Sequence, residues 1–185
     1  MSLLLTILTV LSSFLANLET KTLQSDFNIT VSEEANAPMN FPGELTMYGQ
    51  YFRLSMFNLE AAYDGKTMYM YSAETDELTL TNPSRQELIE TNPFLYAQTM
   101  SGLCDVTERA EGEQTVVTLT PQDQSAGINR FVLKLRTSDL MPLQLEIKEG
   151  KRTSKLLMKN PQFITEPQEF ILHPNKDTFV NDMRL

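Results

Sequence analysis

Tyr51-Phe52-Arg53-Leu54-Ser55-Met56 and, a few residues on, Ala61-Ala62-Tyr63-Asp64-Gly65-Lys66-Thr67-Met68-Tyr69-Met70-Tyr71 decide how this chain folds. Phe52, Leu54 and Met56 recur at every second position, with Arg53 and Ser55 between them, which is the period of a half-buried strand. Asp64-Gly65 separates two strand-like runs and reads as a two-residue hairpin turn, since this pair tolerates the positive φ that such turns demand. The return run is apolar on both faces, Met68 and Met70 on one and Tyr69 and Tyr71 on the other.

The same period extends in both directions. Upstream, Phe27, Ile29 and Val31 alternate with polar neighbours, and so do Leu45 and Met47, which lead to a tight connection at Gly49-Gln50. Asn36-Ala37-Pro38 and Phe41-Pro42-Gly43 read as breaks. Downstream, Leu78 and Leu80 alternate with Thr79 and Thr81. The pattern then changes. Asn82-Pro83 and Asn92-Pro93 each place a capping residue before proline, so two short helices are expected between 83 and about 100, meeting near Glu90. Strand patterning resumes with Val117 and Leu119, then Phe131, Leu133 and Leu135. Leu143, Leu145 and Ile147 continue it, followed by Leu156 and Met158. Gly150 marks another turn, and Phe170-Ile171-Leu172 is a short apolar run near a polar end. About ten short strands with one-sided alternation imply an antiparallel sheet that curls on itself, in a mainly β (α+β) fold. Its apolar concave face needs a cover, and the short helices are the candidates.

A third helix is expected at the N-terminus. Leu4, Leu8, Leu11, Leu15 and Leu18 recur at 4/3 spacing with Thr6, Thr9, Ser13, Asn17 and Thr20 opposite, an amphipathic helix over residues 1–20. It is too interrupted by polar residues to span a bilayer. Met1 and Ser2 supply no basic region and no small-x-small cleavage site follows, so this stretch does not read as a signal peptide. The expectation is that a native leader has been removed ahead of it.

Composition narrows the function. With 24 acidic and 15 basic residues the net charge is −9, which argues against nucleic acid and against anionic lipid headgroups, both of which demand clustered Lys and Arg. At 185 residues, 41% hydrophobic and 21% charged, the chain suits one globular domain spanning 1–185. Enzyme signatures are missing. His173 is the one histidine and precedes a proline without a nucleophile near it. Cys104 and His173 together are too few ligands for a zinc site, and Glu74, Asp76 and Glu77 lack the glycine and terminal glutamate of a calcium loop. Cys104, at the expected start of a strand, reads as a buried inert thiol. No catalytic residue, metal or cofactor is expected. The ten methionines fit either ordinary core filling or a surface that accepts ligands of varied shape.

The ordered set of motifs resembles the outer-membrane lipoprotein carrier family, LolA. It begins with Leu18 to Phe27 leading into a strand, then Gly43-Glu44-Leu45 and Tyr51-Phe52-Arg53-Leu54. Tyr63-Asp64-Gly65 with its aromatic-rich return strand follows, then Asn92-Pro93-Phe94-Leu95 and Val117-Thr118-Leu119-Thr120-Pro121. Phe170, His173-Pro174 and Val180-Asn181-Asp182 close it. The chain departs from the pattern at Tyr48-Gly49, where the family has Arg-Pro, and the family's arginine latch is not carried over to Arg53. The resemblance implies a half-open, highly curved antiparallel β-barrel covered by a lid of short helices. It further implies a periplasmic, monomeric carrier of acylated lipoproteins or other lipids, with an inner-membrane release complex and an outer-membrane acceptor as partners. A lipid-sensing module of the same fold, without a transfer role, is the alternative. Under this reading Met47, Phe52, Leu54, Met56, Met68 and Met70 would line the cavity from the first strands. Phe94 and Leu95 would join from the lid, and Leu133 and Leu145 from the far side. Phe94→Glu is expected to abolish acyl binding and spare the fold.

Overall fold

The alternating runs become one sheet. A computed structural model describes residues 9–33, 36–123, 127–166 and 168–184. Among the described residues the first element is helix α1 (Val10–Thr20), followed by β1 (Thr22–Glu33), β2 (Met39–Tyr48), β3 (Tyr51–Met56), β4 (Leu59–Tyr63), β5 (Met68–Ser72) and β6 (Glu77–Thr81). Helices α2 (Arg85–Thr91) and α3 (Pro93–Met100) come next, with a 3-10 turn at Ser101–Leu103. The remaining strands are β7 (Cys104–Glu111), β8 (Gln114–Pro121), β9 (Ile128–Arg136), β10 (Pro142–Glu149), β11 (Arg152–Ile164) and β12 (Phe179–Asp182).

All twelve strands belong to one sheet, ordered β12-β6-β5-β4-β3-β2-β1-β11-β10-β9-β8-β7. Every pairing is antiparallel except β12 with β6. The two halves meet where β1 pairs with β11, from Thr22↔Ile164 to Glu33↔Arg152. Strands β12 and β7 remain as free edges, so the barrel is curved but unclosed. This is the expected half-open barrel with its helical cover.

The concave face carries the main core. Phe27, Met47, Phe52, Phe131 and Leu133 are each no more than 2% exposed, beneath Phe14 of α1 and Phe94 of α3. Each such side chain contributes about 1.5–3 kcal/mol by leaving water. Helix α1 rests on β1, β2 and β8 through Leu11, Phe14 and Leu18. Its buried stripe takes in Phe14, while Leu15 is half-buried; Leu4 and Leu8 lie outside the described residues. Glu108 of β7 reaches across and accepts hydrogen bonds from the Val10 and Leu11 N–H groups at 3.1 and 3.0 Å. Thr9 accepts from Ser12 N–H, so three of the first amides of α1 are satisfied.

The convex face carries a second, smaller core. Ala62, Leu78, Leu80 and Leu172 cluster there, with Tyr69 and Tyr71 packed against them. This explains why β5 is apolar on both faces. The tail covers the patch through Leu172, while Phe170 lies against the Tyr51 ring at 6.0 Å between centroids.

Several expectations need correction. Phe41-Pro42-Gly43 is no break: β2 runs through it, and Pro42 is tolerated because β3 pairs only from Gly43↔Met56 onward, leaving Pro42 with a strand partner on one side. Asp64-Gly65 belongs to a four-residue loop between Tyr63 and Met68, not a two-residue one. The Asp64 carboxylate holds that loop by accepting from the Lys66 and Thr67 amides. Helix α2 starts after Ser84, which forms a capping box with Glu87, so Pro83 precedes the cap. The two lid helices meet at Asn92, which ends one and caps the other. Strand β12 was not expected, and of β7 only its start at Cys104 was, because both are edges with mostly exposed side chains, which leaves no one-sided alternation to read.

Candidate functional site

The lid elbow sits over the concave face and leaves two apolar openings beside it. The narrower, about 80 Å³, runs between Thr91–Phe94 and the strands below. Its floor is Phe27 and Ile29 of β1, Leu45 of β2, Phe52 and Leu54 of β3, and Leu156 of β11. The wider, about 590 Å³, lies on the other flank of the lid. Ile89, Pro93, Tyr96 and Met100 form its lid side and Ile128 and Ile147 its sheet side, with Gln86, Glu90 and Glu149 at the rim. Pro93 borders both openings, so the start of α3 is the wedge between them.

Strand register carries the apolar floor beyond the lid. Ile29 pairs with Phe41 and Val31 with Met39, while Met56 pairs with Leu59 and Ala61 with Met70. All share the concave face, because directly opposed residues point the same way. There the floor emerges into solvent: Met39, Leu59 and Met70 are 54%, 50% and 51% exposed. Phe57, at the β3–β4 turn, is 79% exposed and meets the Phe41 ring edge-on at 6.5 Å. A contiguous apolar surface that starts under a lid and ends in water is the kind of patch that marks a binding groove.

The lid is pinned by aromatic contacts. Phe94 lies 5.7 Å from Phe14, and Tyr96 stacks on Phe131 at 5.6 Å. Asn92 caps α3 by accepting from the Phe94 and Leu95 amides at 3.1 and 3.2 Å. Burial first, then Cys104 and Glu149 beside it, pushes the Tyr96 hydroxyl up to about 12. It therefore stays protonated at any physiological pH.

Of the ten expected lining residues, Phe52, Leu54 and Phe94 come together at the narrow crevice. Met47, Met68, Leu133 and Leu145 are closed core in this structure. Met56 and Leu95 are half-buried against that core, and Met70 lies on the open stretch of floor. Phe94 is 1% exposed against Phe14, so Phe94→Glu would bury an unpaired charge and cost the fold, contrary to expectation. Ile29, Leu45 and Leu156 were not expected at the site, though all lie on alternating runs. Nor were Pro93, Tyr96 and Met100, whose i, i+3, i+7 spacing marks one face of α3. Arg53 pairs with Glu60 at 3.0 Å on the convex face, beside Tyr71, Leu78 and Leu172. His173 is exposed beside Glu169, and burial followed by Asp105 raises the Cys104 thiol, which disfavours its nucleophilic form. Among the described residues no three His, Cys, Asp or Glu side chains are grouped to hold a metal.

No protein-family model matches this chain, and no curated protein matches its sequence. Solved structures do match. An uncharacterized conserved protein from Thermus thermophilus aligns over 93% of this chain and 96% of its own, at 14% identity and a TM-score of 0.61. A chain of the MucA/MucB complex of Pseudomonas aeruginosa aligns over 86% of this chain and 58% of its own, at 14% identity and a TM-score of 0.52. What is shared is the fold. A LolA superfamily protein from Nitrosomonas europaea also matches, over 86% of this chain and 96% of its own, at 10% identity and a TM-score of 0.43.

Proposed function

We propose that this protein is a periplasmic carrier that shelters the acyl chains of lipoproteins in the lidded trough and delivers them toward the outer membrane, performing no chemistry on them. The observation that carries the reading is the apolar floor that runs from the crevice under the lid to the solvent-exposed Met39, Leu59 and Met70. An acyl chain fits that surface chemically, since neither demands hydrogen bonds from the other. A palmitoyl chain gains about 13 kcal/mol on leaving water, at about 0.8 kcal/mol per CH₂, so it needs shelter to cross an aqueous space. The shelter must also let go. The small crevice and the partly exposed floor favour incomplete burial and hence release. Methionines along that floor adapt to chains of different shape. An inner-membrane release complex and an outer-membrane acceptor would be the partners, and the carrier would act as a monomer.

The test is native mass spectrometry on detergent-free protein mixed with a triacylated lipopeptide. A one-to-one complex that the unacylated peptide does not form is the expected result. A folded protein that forms no complex would leave the fold without the carrier role.

A second reading keeps the trough without the transfer, and the likeness to a chain solved in a complex with another protein leaves room for a protein partner. In it the trough binds lipid as a signal and hands it to nobody. Transfer of labelled lipoprotein to acceptor vesicles separates the two, since only a carrier delivers.

A further inference from the structure

The lid carries two polar groups that the fold leaves unanswered. Asn92 and Tyr96 are 4% and 6% exposed, and Asn92 Nδ2 and Tyr96 Oη have no hydrogen-bond partner among the described residues. Buried donors are nearly always paired, because an unmet one forfeits its hydration without return. Asn92 caps α3 and Tyr96 lies one turn further on, and each borders an opening: Asn92 the narrow crevice, Tyr96 the wide cleft. The cap fixes the direction of the Asn92 amide. Its Oδ1 is turned into the helix to accept from Phe94 and Leu95, so Nδ2 is the end left for another partner. The Tyr96 ring is held by its stack on Phe131, so its hydroxyl has little freedom to seek a partner elsewhere.

Two donors in an apolar setting call for acceptors that arrive attached to an apolar body. A carboxylate is a poor fit, because among the described residues no cation borders either opening and Glu90 and Glu149 stand at the rim of the wide one. A bare hydrocarbon supplies no acceptor. A neutral carbonyl at the head of an acyl chain satisfies both requirements.

We propose that Asn92 Nδ2 and Tyr96 Oη donate to ester or amide carbonyl oxygens of the bound lipid, making the lid selective for acyl over alkyl chains. The proposal rests on the carrier reading and adds to it the class of linkage recognised. A site that offers hydrogen bonds discriminates against a ligand lacking the matching group far better than an apolar wall does.

The experiment compares palmitoyl lysophosphatidylcholine with its hexadecyl ether analogue, which differs only in lacking the carbonyl. Dissociation constants are measured by calorimetry for the wild-type chain, Asn92→Ser, Tyr96→Phe and the double variant. Serine caps a helix about as well as asparagine, and phenylalanine keeps the Tyr96 ring, so both single variants preserve the fold. The wild type is expected to prefer the ester by about tenfold, and the double variant to bring the ratio of the two constants close to one. A ratio near one in the wild type, with both lipids bound, overturns the proposal and leaves the carrier reading standing. A ratio that survives in the double variant overturns it as well, since the preference would then arise elsewhere. Binding of neither lipid overturns both readings together.

Discussion

Asp64 illustrates how one side chain holds a local conformation. Its carboxylate accepts from the Lys66 amide at 2.9 Å, the Thr67 amide at 2.7 Å and the Tyr69 hydroxyl at 2.9 Å. Partial burial pushes its pKa upward, but these three donors outweigh burial and hold it below the usual carboxylate value. A depressed folded-state pKa means that the unfolded chain binds the proton more readily. The stability Asp64 contributes is therefore present above about pH 4, the unfolded value, and is lost as pH falls through the lower folded value. Asp64→Asn retains an acceptor for the loop but has no charge to titrate. Urea midpoints followed downward from about pH 6 should fall less steeply in that variant than in the wild type. Identical acid limbs would remove the loop carboxylate from the account.

Of the two lid helices, α2 is the less anchored. Leu88 is its one buried residue, and its start is held by the Ser84–Glu87 capping box. Glu87 Oε2 accepts from the Ser84 amide at 2.7 Å, and Ser84 Oγ from the Glu87 amide at 3.3 Å. By contrast α3 sinks Phe94, Tyr96 and Ala97 into the core. The two share the Asn92 junction, and the smaller buried face of α2 predicts that it opens more readily than α3. Removing the cap with Ser84→Ala costs about 1 kcal/mol locally, equivalent to about fivefold faster amide exchange in α2. Amides in β1 and β11 should be unaffected, because they are released only by larger openings. Equal acceleration everywhere would mean that α2 opens only with the whole fold.

At the scale of the molecule, the wall of the curved sheet is held by its own core, and under the proposed function a ligand would add to its stability by mass action. If an acylated lipopeptide binds only the folded chain, a free concentration 100 times its Kd stabilises by about 2.7 kcal/mol. For a domain of this size that shifts Tm upward by about 5–10 °C. Thermal melts with the lipopeptide and with its unacylated form should show the shift in the first alone. A shift with neither would argue that the trough stays empty.

The sequence by itself determined which residues share a face, because a two-residue period is a local property of extended backbone. From it came the strands around Phe52, Phe131 and Leu145, the lid helices announced by Asn-Pro, and the need to cover one apolar side. It did not determine which face of a doubly apolar run is the inner one. Tyr69 and Tyr71 face outward because the tail brings Leu172 back over the convex side, a contact across about a hundred residues of chain. Nor did it determine that Met47, Met68, Leu133 and Leu145 would be closed core while Met70 lies open, since that depends on where α1 and α3 come down on the sheet. The amide of Asn92 and hydroxyl of Tyr96, without partners among the described residues, belong to the same class. Whether a polar group finds a partner is decided by every segment that packs around it, and only the tertiary structure brings those segments together.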